Sequence, residues 1–538
     1  MFRDTGGMRT GREQGISRRE LLQRGGAAAG MILTGGTLLS ACGAGTTSTR
    51  SGSAAGSVDF YSGAPHRGGT LRHGVAGGGA TDGLDAHVQA SLIDYARGVA
   101  LYEGLFYTDS HFNLLPWLAE EASHNKAGDV WTVRLRPGVE FHNGKTLSAE
   151  DVIYSFQRIL NPRTASTAAG SLAMVVADRM KKLDARTIRF ELNTAFAPFP
   201  EALSQGSNIV PVGYDPAKPV GTGPFEFGTF VAGQYSHFPA FDRYWRTGRP
   251  YVSAINHIDF PDETSRINAL TTGEIDIADG IEFTLARVVG SHPEVHVMVS
   301  PTDTIYALGM RADKPPFDDV RVRQAFRLIA DRPALVTNVF DGYGRIGNDL
   351  YSPQDTDFAH DLPQRHQDLD QARALLKQAG HRGLSVTLTI ADVQAGVIAS
   401  GEVFAQQAKA AGVNLQTSKL EADQFYSGEG SYQLAPAATG LYNYFATANQ
   451  LDGPTSVRNT THFSNREFDT LYRQGIKEFD ATRRREIVHR MQEIQYTEGS
   501  LLIWGFNDVL DGYRRVGGMN PDVGGNAAYR YGDLWLAS

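Results

Sequence analysis

The sequence predicts an α/β or α+β fold built from two or more lobes. Strict alternation in Trp131–Arg136 and Thr187–Leu192 indicates strands, and apolar spacing in Val320–Asp331 and Leu369–Ala379 indicates amphipathic helices. Roughly 470 residues follow position 66, and a single core stops growing near about 250–300 residues. Since hydrophobic residues make up 41% of the chain and aromatic residues 10%, there is enough apolar surface for several cores.

The other elements follow from caps, turns and periodicity. Ser148 with an acid three residues on, Asp151, is a helix start, and Gly380 is placed to end a helix. Further segments are a strand over Gly68–Val75, a glycine-rich loop over Gly77–Asp85, helical patterns over 91–105 and over 466–498 with an interruption near Asp480, and a strand over Ser385–Ile390.

The first 41 residues have the layout of an export signal. Ser17–Gln23 resembles the twin-arginine motif, and the small-residue run Gly25–Ala41 suits the apolar core of such a signal. That run is about 17 residues long, shorter and richer in glycine than the roughly 20 strongly apolar residues of a membrane span. Leu39–Cys42 resembles a bacterial lipobox, in which the cysteine is acylated and becomes the mature N-terminus.

We therefore expect a twin-arginine lipoprotein signal peptide over residues 1–41 and lipidation of Cys42. The chain would then be exported and held by its acyl chains on the outer face of the cytoplasmic membrane, in the periplasm or at the cell surface. Residues 42–66 are rich in Gly, Ser, Thr and Ala, which predicts a flexible tether. The alternative is a chance Arg-Arg pair and a free buried cysteine.

Charge and cysteine usage exclude several functions. The full chain has a formal charge of −8, and without residues 1–41 it keeps 45 basic and 56 acidic residues, or −11. A net acidic surface disfavours nonspecific nucleic-acid binding. Cys42 is the only cysteine, so its acylation leaves no thiol for a disulfide, a metal site or a nucleophile.

Motifs of catalysis are missing or out of context. Gly342–Gly347 matches GxGxxG but follows a helical segment, so it predicts a loop and not a dinucleotide site. His489 and Glu493 stand four apart on a helix without a third ligand nearby, which favours a solvated helix face. We expect no cofactor, no metal site and no enzymatic activity, because no nucleophile, base or metal constellation is visible.

Three groups of residues, in order along the chain, point to one family. They are Tyr102–Phe106 with Leu115–Ala119; Trp131–Lys145 continuing into Ser148–Val152, Ser155 and Arg158; and Gly221–Phe225 followed by Pro316–Ala325, Ala330–Arg332, Leu335 and Val336. Together they resemble the family 5 extracytoplasmic solute-binding proteins, which serve dipeptide, oligopeptide and nickel-type ABC importers. The resemblance covers about residues 67–538.

The resemblance implies a periplasmic-binding-protein-like, two-lobed α/β fold of type II (cluster C-like) with an inserted subdomain. Lobe I would comprise 67–106, 220–309 and 500–538, the inserted subdomain 107–219, and lobe II 310–499. A small peptide or peptide-like solute would bind in the cleft, and closure of the lobes would present it to the permease subunits in the membrane. The protein would act as a monomer and would bind no nucleic acid.

One expected anchor is missing. In peptide-binding members an Asp in a Trp-x-x-Asp-Tyr-like stretch of the second lobe pairs with the free amine of the peptide. The corresponding region, Tyr432–Phe445, contains no Asp or Glu, and uncharged Tyr442 or Asn443 takes that position. Because a buried ammonium needs a partner, we hypothesise a ligand held without a free α-amine: a modified peptide, or an opine-like or sugar conjugate. The alternative is an anchor elsewhere, for example Asp423 or Asp452.

Two further polar candidates follow from the resemblance. The loop Gly78–Leu84, with Gly79 and Asp82, lies where family members approach the ligand with backbone groups; a plain turn explains it equally well. Arg311 stands where many members have Asn. Its guanidinium could bind a ligand carboxylate or phosphate, or it could pair with a neighbouring acid.

The aromatic candidates are Tyr442, Tyr444 and Phe445, which would wall an apolar-lined pocket, and Trp504 near the C-terminus. Ordinary core packing is the alternative for each of them. Two rival functions also remain open: a receptor for a metal chelate or haem, and an exported hydrolase.

Overall fold

The computed structural model describes residues 63–537 except 110, 205, 438, 439, 441, 442, 457 and 522–528. The expected signal segment 1–41, Cys42, the tether up to residue 62 and the candidate Tyr442 lie outside the described residues.

The strands of the described chain are mostly short, and two of them are long. In chain order they are β1 Thr70–Ala76, β2 Phe106–Thr108, β3 Leu114–Pro116, β4 Ala119–His124, β5 Val130–Leu135, β6 Lys181–Lys182, β7 Thr187–Glu191, β8 Thr229–Val231, β9 Tyr235–Pro239, β10 Ala254–Phe260, β11 Ile277–Ala278, β12 His296–Met310, β13 Gly344–Ile346, β14 Ser385–Ala391, β15 Asn414–Leu420, β16 Leu434–Ala437, β17 Leu501–Tyr513, β18 Val516–Gly517 and β19 Trp535–Leu536.

The helices alternate with these strands. In chain order they are α1 Leu92–Leu101, α2 Ala149–Leu160, α3 Phe199–Ala202, α4 Glu263–Thr272, α5 Phe283–Gly290, α6 Val320–Ile329, α7 Arg332–Phe340, α8 Leu369–Gln378, α9 Val397–Ala410, α10 Ala422–Ser427, α11 Tyr444–Leu451, α12 Arg466–Gly475 and α13 Ala481–Glu498.

One mixed sheet runs through both predicted lobes. Its strand order is β15-β14-β16-β12-β17-β11-β1-β10-β9-β8, and β13 pairs with β17 beside that path. The strands β1 and β10 are parallel, as are β14 and β15, so the loops that follow each pair leave the sheet at a common edge. In α/β sheets such edges are where ligands bind.

The connection between the lobes consists of β12 and β17. They are antiparallel to each other; the end of β12 also pairs with β16 of lobe II, and the end of β17 with β11 of lobe I. Their ladder is interrupted between Pro301 and Ile305. A bulge of this kind bends a strand locally, so we take residues 301–305 as the hinge.

Separate hydrophobic cores lie on the two sides of this hinge. A core whose buried members all fall within residues 105–209 belongs to the predicted inserted subdomain, which has its own sheet, β4-β5-β7-β6. Two further cores, between residues 305 and 506, lie on the two faces of the lobe II sheet. The domain boundaries themselves stay a prediction.

Many local predictions are confirmed. The predicted strands Trp131–Arg136 and Ser385–Ile390 correspond to β5 and β14, and the predicted break near Asp480 separates α12 from α13. Gly380 ends α8 with a φ of 87°, in the left-handed region that favours glycine.

The loop predicted for Gly342–Gly347 is wrong in its middle part, because Gly344–Ile346 form strand β13 against β17. A Cβ on Gly344 would lie 2.6 Å from the Phe506 carbonyl oxygen, and one on Gly347 would lie 2.3 Å from that of Ile503. These glycines therefore permit close strand approach at the hinge, a need that periodicity cannot reveal.

Candidate functional site

On the lobe I side, the glycine-rich loop starts where β1 ends. Gly77 and Gly78 have φ values of 98° and 101°, and a Cβ on Gly78 would lie 2.6 Å from the Asp259 carboxylate. The Gly79 amide donates to Asp82 Oδ1 at 3.0 Å. Gly79 is partly exposed, and a Cβ there would meet no atom within 4 Å, so the backbone at Gly79 is open to approach.

Asp82 is held by a buried ion-pair cluster. Arg97, which is fully buried, donates to Asp82 Oδ2 at 3.1 Å and to the Asp259 carboxylate. Burial alone would raise the pKa of Asp82, but hydrogen bonds from Arg97, Asp259 and two backbone amides hold it below its usual value. Burial raises the pKa of Asp259 to about 6, against the charge of Arg97. Asp82 thus supports the loop through Arg97.

On the lobe II side, Asn443 caps α11. Its side chain accepts a hydrogen bond from the Ala446 amide at 3.0 Å, as an N-cap residue does. The next amide, that of Tyr444, donates to Asp355 Oδ2 at 2.8 Å. Burial raises the pKa of Asp355. An acid from another segment therefore lies beside the position where the family's anchoring Asp is absent.

The aromatic candidates of α11 point into the protein. Tyr444 is 1% exposed and donates through its hydroxyl to Gln495 Oε1 at 2.9 Å. Phe445 is 6% exposed and packs against Tyr472 with ring centroids 6.0 Å apart. Both rings belong to the core on one face of the lobe II sheet, which is the core-packing alternative given above; their role as pocket walls stays a prediction.

The two alternative acids differ in accessibility. Asp423 is exposed on the short helix α10. Asp452 is 5% exposed and accepts hydrogen bonds from the Tyr351 hydroxyl at 2.8 Å and from Gln495 Nε2 at 2.9 Å. Burial raises the pKa of Asp452 to about 6. Asp452 therefore belongs to a buried hydrogen-bond network with Tyr351 and Gln495.

Arg311 follows β12 at the end remote from the hinge. It is the sixth residue after Ile305, or about 20 Å farther along an extended chain. Arg311 Nε donates to Asp313 Oδ1 at 2.5 Å, and Arg311 Nη1 donates to the Gly430 carbonyl. Arg311 thus pairs with a nearby acid, which was the alternative to ligand binding. Contact between Arg311 and the ligand stays a prediction.

Trp504 lies on β17 with its face toward the other lobe II core. It is 1% exposed and stacks on Phe340 with centroids 4.8 Å apart, while Tyr306 meets it edge-on at 5.7 Å. Its neighbours are therefore other core side chains, and the position of Trp504 is that of a core residue.

A polar cluster at the hinge was not found from the sequence. Asp303, 2% exposed in the bulge, accepts hydrogen bonds at 3.0 Å from both the backbone and the side-chain nitrogen of Gln354, and Arg345 Nη2 lies 3.3 Å away. Burial raises the pKa of Asp508, opposite the bulge, to about 6, and the charge of Arg345 offsets this only partly. Two carboxylates thus depend on one guanidinium beside the bulge of β12.

Two features of the described residues bear on other functions. Across the described ranges, no group of three or more His, Cys, Asp or Glu side chains is arranged to hold a metal ion. Among the helices that the structure describes, none combines the length and apolar character needed to cross a bilayer.

Comparison with known proteins shows which family has this sequence and fold. Residues 113–461 match the family described as bacterial extracellular solute-binding proteins, family 5. The glutathione-binding protein GsiB of Pectobacterium atrosepticum is 26% identical over 448 residues, covering 78% of this chain and 85% of GsiB.

Solved structures show the same fold. CtaP of Listeria monocytogenes, an ABC transporter substrate-binding protein, superposes with a TM-score of 0.78 at 20% identity, covering 88% of this chain and 100% of CtaP. AgaA of A. tumefaciens R10, solved with agropinic acid, gives a TM-score of 0.72 at 22% identity, covering 87% and 99%. The chain belongs to family 5 of the bacterial extracellular solute-binding proteins.

Proposed function

We propose that this protein is the substrate-binding subunit of an ABC importer, which captures a small peptide or peptide-like solute between its lobes and delivers it to the permease. The observation that carries this is the pair of strands β12 and β17, which join both lobes and are interrupted at the hinge. Two lobes joined by such a hinge can close on a solute, and the solute shifts the equilibrium by its differential affinity for the closed form.

The charge at the start of α11 bears on the solute class. Asn443, which caps this helix, is uncharged, and the segment Tyr432–Phe445 has no acid. This supports a solute without a free α-amine, such as a modified peptide or an opine-like conjugate; AgaA, a structural neighbour, was solved with agropinic acid. Asp355, 2.8 Å from the Tyr444 amide, is the nearby acid that would serve an amine instead.

The solute class can be tested by calorimetric titration with free and N-acetylated dipeptides and with glutathione. We expect acetylation to leave the affinity within a few-fold. A strong preference for the free amine, abolished in Asp355→Asn, would refute the absence of amine recognition and transfer the anchor to Asp355. Asp370→Asn, which changes a carboxylate of the same lobe that is 96% exposed, is the matched control. Native mass spectrometry of protein purified from its own host would show which solute is carried.

The proposal includes a membrane anchor. It is supported by the order of three sequence features, namely Ser17-Arg18-Arg19, a small-residue apolar run and the lone Cys42. Metabolic labelling with a fatty acid should mark the wild-type chain and not Cys42→Ser. Replacing Arg18 and Arg19 with Lys should leave unprocessed chain inside the cell. Labelling of Cys42→Ser would exclude this attachment point.

A substrate-binding role and a hydrolase differ in turnover. We expect the protein to return every bound solute unchanged, and incubation of peptide, ester and glycoside substrates with it should give no product above background. Product formation by the purified chain would favour the hydrolase.

A further inference from the structure

The inserted subdomain is bound firmly to lobe I. Glu103, which is buried, accepts hydrogen bonds from Trp117 Nε1 at 2.8 Å, from the Tyr244 hydroxyl at 2.7 Å and from Trp245 Nε1 at 2.9 Å. Trp117 belongs to the subdomain, and Tyr244 and Trp245 belong to lobe I. Because a buried carboxylate is costly without its donors, the hydrogen bond from Trp117 ties the subdomain to lobe I, and we expect the subdomain to move with lobe I.

Lobe II also touches this subdomain, and an aromatic side chain of lobe II lies at the contact. Phe479 lies in the connection between α12 and α13, and its ring stacks on His124 with centroids 3.9 Å apart and planes 23° from parallel. The Trp131 ring lies 6.0 Å away. Phe479 packs against the hydrophobic core of the subdomain, not against a lobe II core.

The subdomain has a space shaped for this ring. Gly128 has a φ of 75°, and a Cβ on it would lie 2.4 Å from Phe479 Cε2. The ring thus occupies the volume that a side chain at position 128 would take. One backbone hydrogen bond reinforces the contact: the Ala197 amide of the subdomain donates to the Ile476 carbonyl of lobe II at 2.7 Å.

Opposite charges also lie on the two sides of the contact between lobe II and the subdomain. Burial alone would lower the pKa of Arg484, at the start of α13, but the hydrogen bond and charge of Asp357 and the charge of Glu201 hold it above its usual value. Asp357 belongs to lobe II and lies 2.9 Å from Arg484 Nε, whereas Glu201 belongs to the subdomain. The attraction between Arg484 and Glu201 therefore acts across the contact between lobe II and the inserted subdomain.

We propose that Phe479 is a latch, which holds lobe II against the inserted subdomain and thereby sets the affinity for the solute from outside the solute site. The effect on affinity rests on the function proposed above. A protein that binds only in its closed form has an apparent dissociation constant inversely proportional to the closed fraction. We assign this aromatic contact to the closed form, in which lobe II lies against the subdomain, so affinity should fall by up to about tenfold when the ring is removed.

The test uses hydrogen exchange on the full chain without solute. In Phe479→Ala we expect the Ala197 amide to exchange about tenfold faster or more, because its acceptor lies across the interface. The amide of Val133, paired within the subdomain sheet with Ile188, should keep its rate and reports on intact folding. Tyr426→Ala, which removes an exposed lobe II aromatic, is the matched control and should change neither rate.

Two more variants keep the test decisive. Phe479→Leu retains apolar volume and should give an intermediate rate at Ala197, which also serves if the alanine variant fails to fold. Gly128→Ala places a methyl group in the ring's space and should release the Ala197 amide as Phe479→Ala does. Unchanged exchange at Ala197 in both position-479 variants would overturn the latch.

Affinity is then measured with a probe that binds the wild type, beginning with glutathione and with N-acetylated dialanine, which lacks a free α-amine. A loss of up to about tenfold in Phe479→Ala, with none in Tyr426→Ala, supports the link to capture. Faster exchange with unchanged affinity would overturn that link. If neither probe binds the wild type, that peptide class fails as the solute, and the exchange of Ala197 still decides on the latch.

Discussion

The Asp511 carboxylate accepts a 2.8 Å hydrogen bond from the Gly280 amide and so joins the hinge strand β17 to the loop that follows β11. Asp511 is fully buried, and burial, reinforced by the charge of Asp279, raises its pKa to about 7. Other groups in this cluster are the fully buried His73, which lies 3.5 Å from Asp279, and Arg266, 2.9 Å from Asp279. Asp511 therefore binds a proton more readily than an ordinary carboxyl group.

Stability should fall as this proton is lost. Because the folded pKa of Asp511 exceeds its unfolded value near about 4, its stabilising contribution is complete at acidic pH and is lost as the pH rises toward about 7. We expect Asp511→Asn to remove on the order of 3 kcal/mol of pH dependence between pH 4 and 8. Chemical denaturation of both proteins across this range measures the difference.

Asp370→Asn, which changes a carboxylate that is 96% exposed, is the control for this titration and should keep the wild-type slope. Equal slopes for wild type and Asp511→Asn would mean that Asp511 is ionised throughout.

Arg97 should be among the most sensitive polar positions of lobe I. Arg97→Met leaves the Asp82 and Asp259 carboxylates buried without their cation, and breaking a buried ion pair from one side costs about 3–5 kcal/mol. Urea unfolding should show this loss, and adding Asp82→Asn to the same chain should recover part of it. Arg321→Met removes an exposed partner of Asp319 and should cost less than about 1 kcal/mol.

The Glu103 carboxylate should hold the subdomain against lobe I, because both of its oxygens accept hydrogen bonds. In Glu103→Gln, one oxygen becomes an NH₂ donor that faces a donor, Trp117, Tyr244 or Trp245. We expect a loss of about 1–3 kcal/mol in unfolding free energy, together with faster exchange of amides between the subdomain and lobe I. Glu150→Gln, at a residue whose side chain is 61% exposed, should leave both quantities at their wild-type values.

Asn443 offers a gain-of-function test. Asn443→Asp keeps a good helix cap on α11 and places a carboxylate where the resemblance to peptide-binding members predicts an anchoring acid. We expect the affinity for a free dipeptide to rise relative to its N-acetylated form. Asn443→Ser, which caps without charge, should leave that ratio unchanged; a rise with Ser as well would assign the effect to the cap.

Local pattern predicted much of the fold. The alternation around Trp131 and Val133 places both residues on the buried face of β5, and the Ser148–Asp151 cap starts α2 as expected. These features depend on neighbours within a few residues, so the sequence displays them. The family motifs led to the type of fold, which periodicity alone leaves open, and the bounds of the lobes stay a prediction.

The sites depend on distant partners, and there the sequence was less informative. Phe479 and His124 are far apart in the chain, and neither stands in a motif that links them. Asp303 meets Arg345 42 residues later only because β12 bulges beside β13. Tyr444 and Phe445 were candidates for pocket walls because aromatic residues suit both pockets and cores, and only the direction of the helix face distinguishes the two uses.

The shared ribbon of β12 and β17 restricts how the two halves can move. Hydrogen bonds between adjacent strands resist sliding and shearing within the sheet, whereas bending across it at Pro301–Ile305 breaks few of them. The relative motion of the two lobes is thus confined to bending about one axis. A solute that binds between them has to restrict only this one motion. The lobes therefore lose little orientational entropy when the solute is captured.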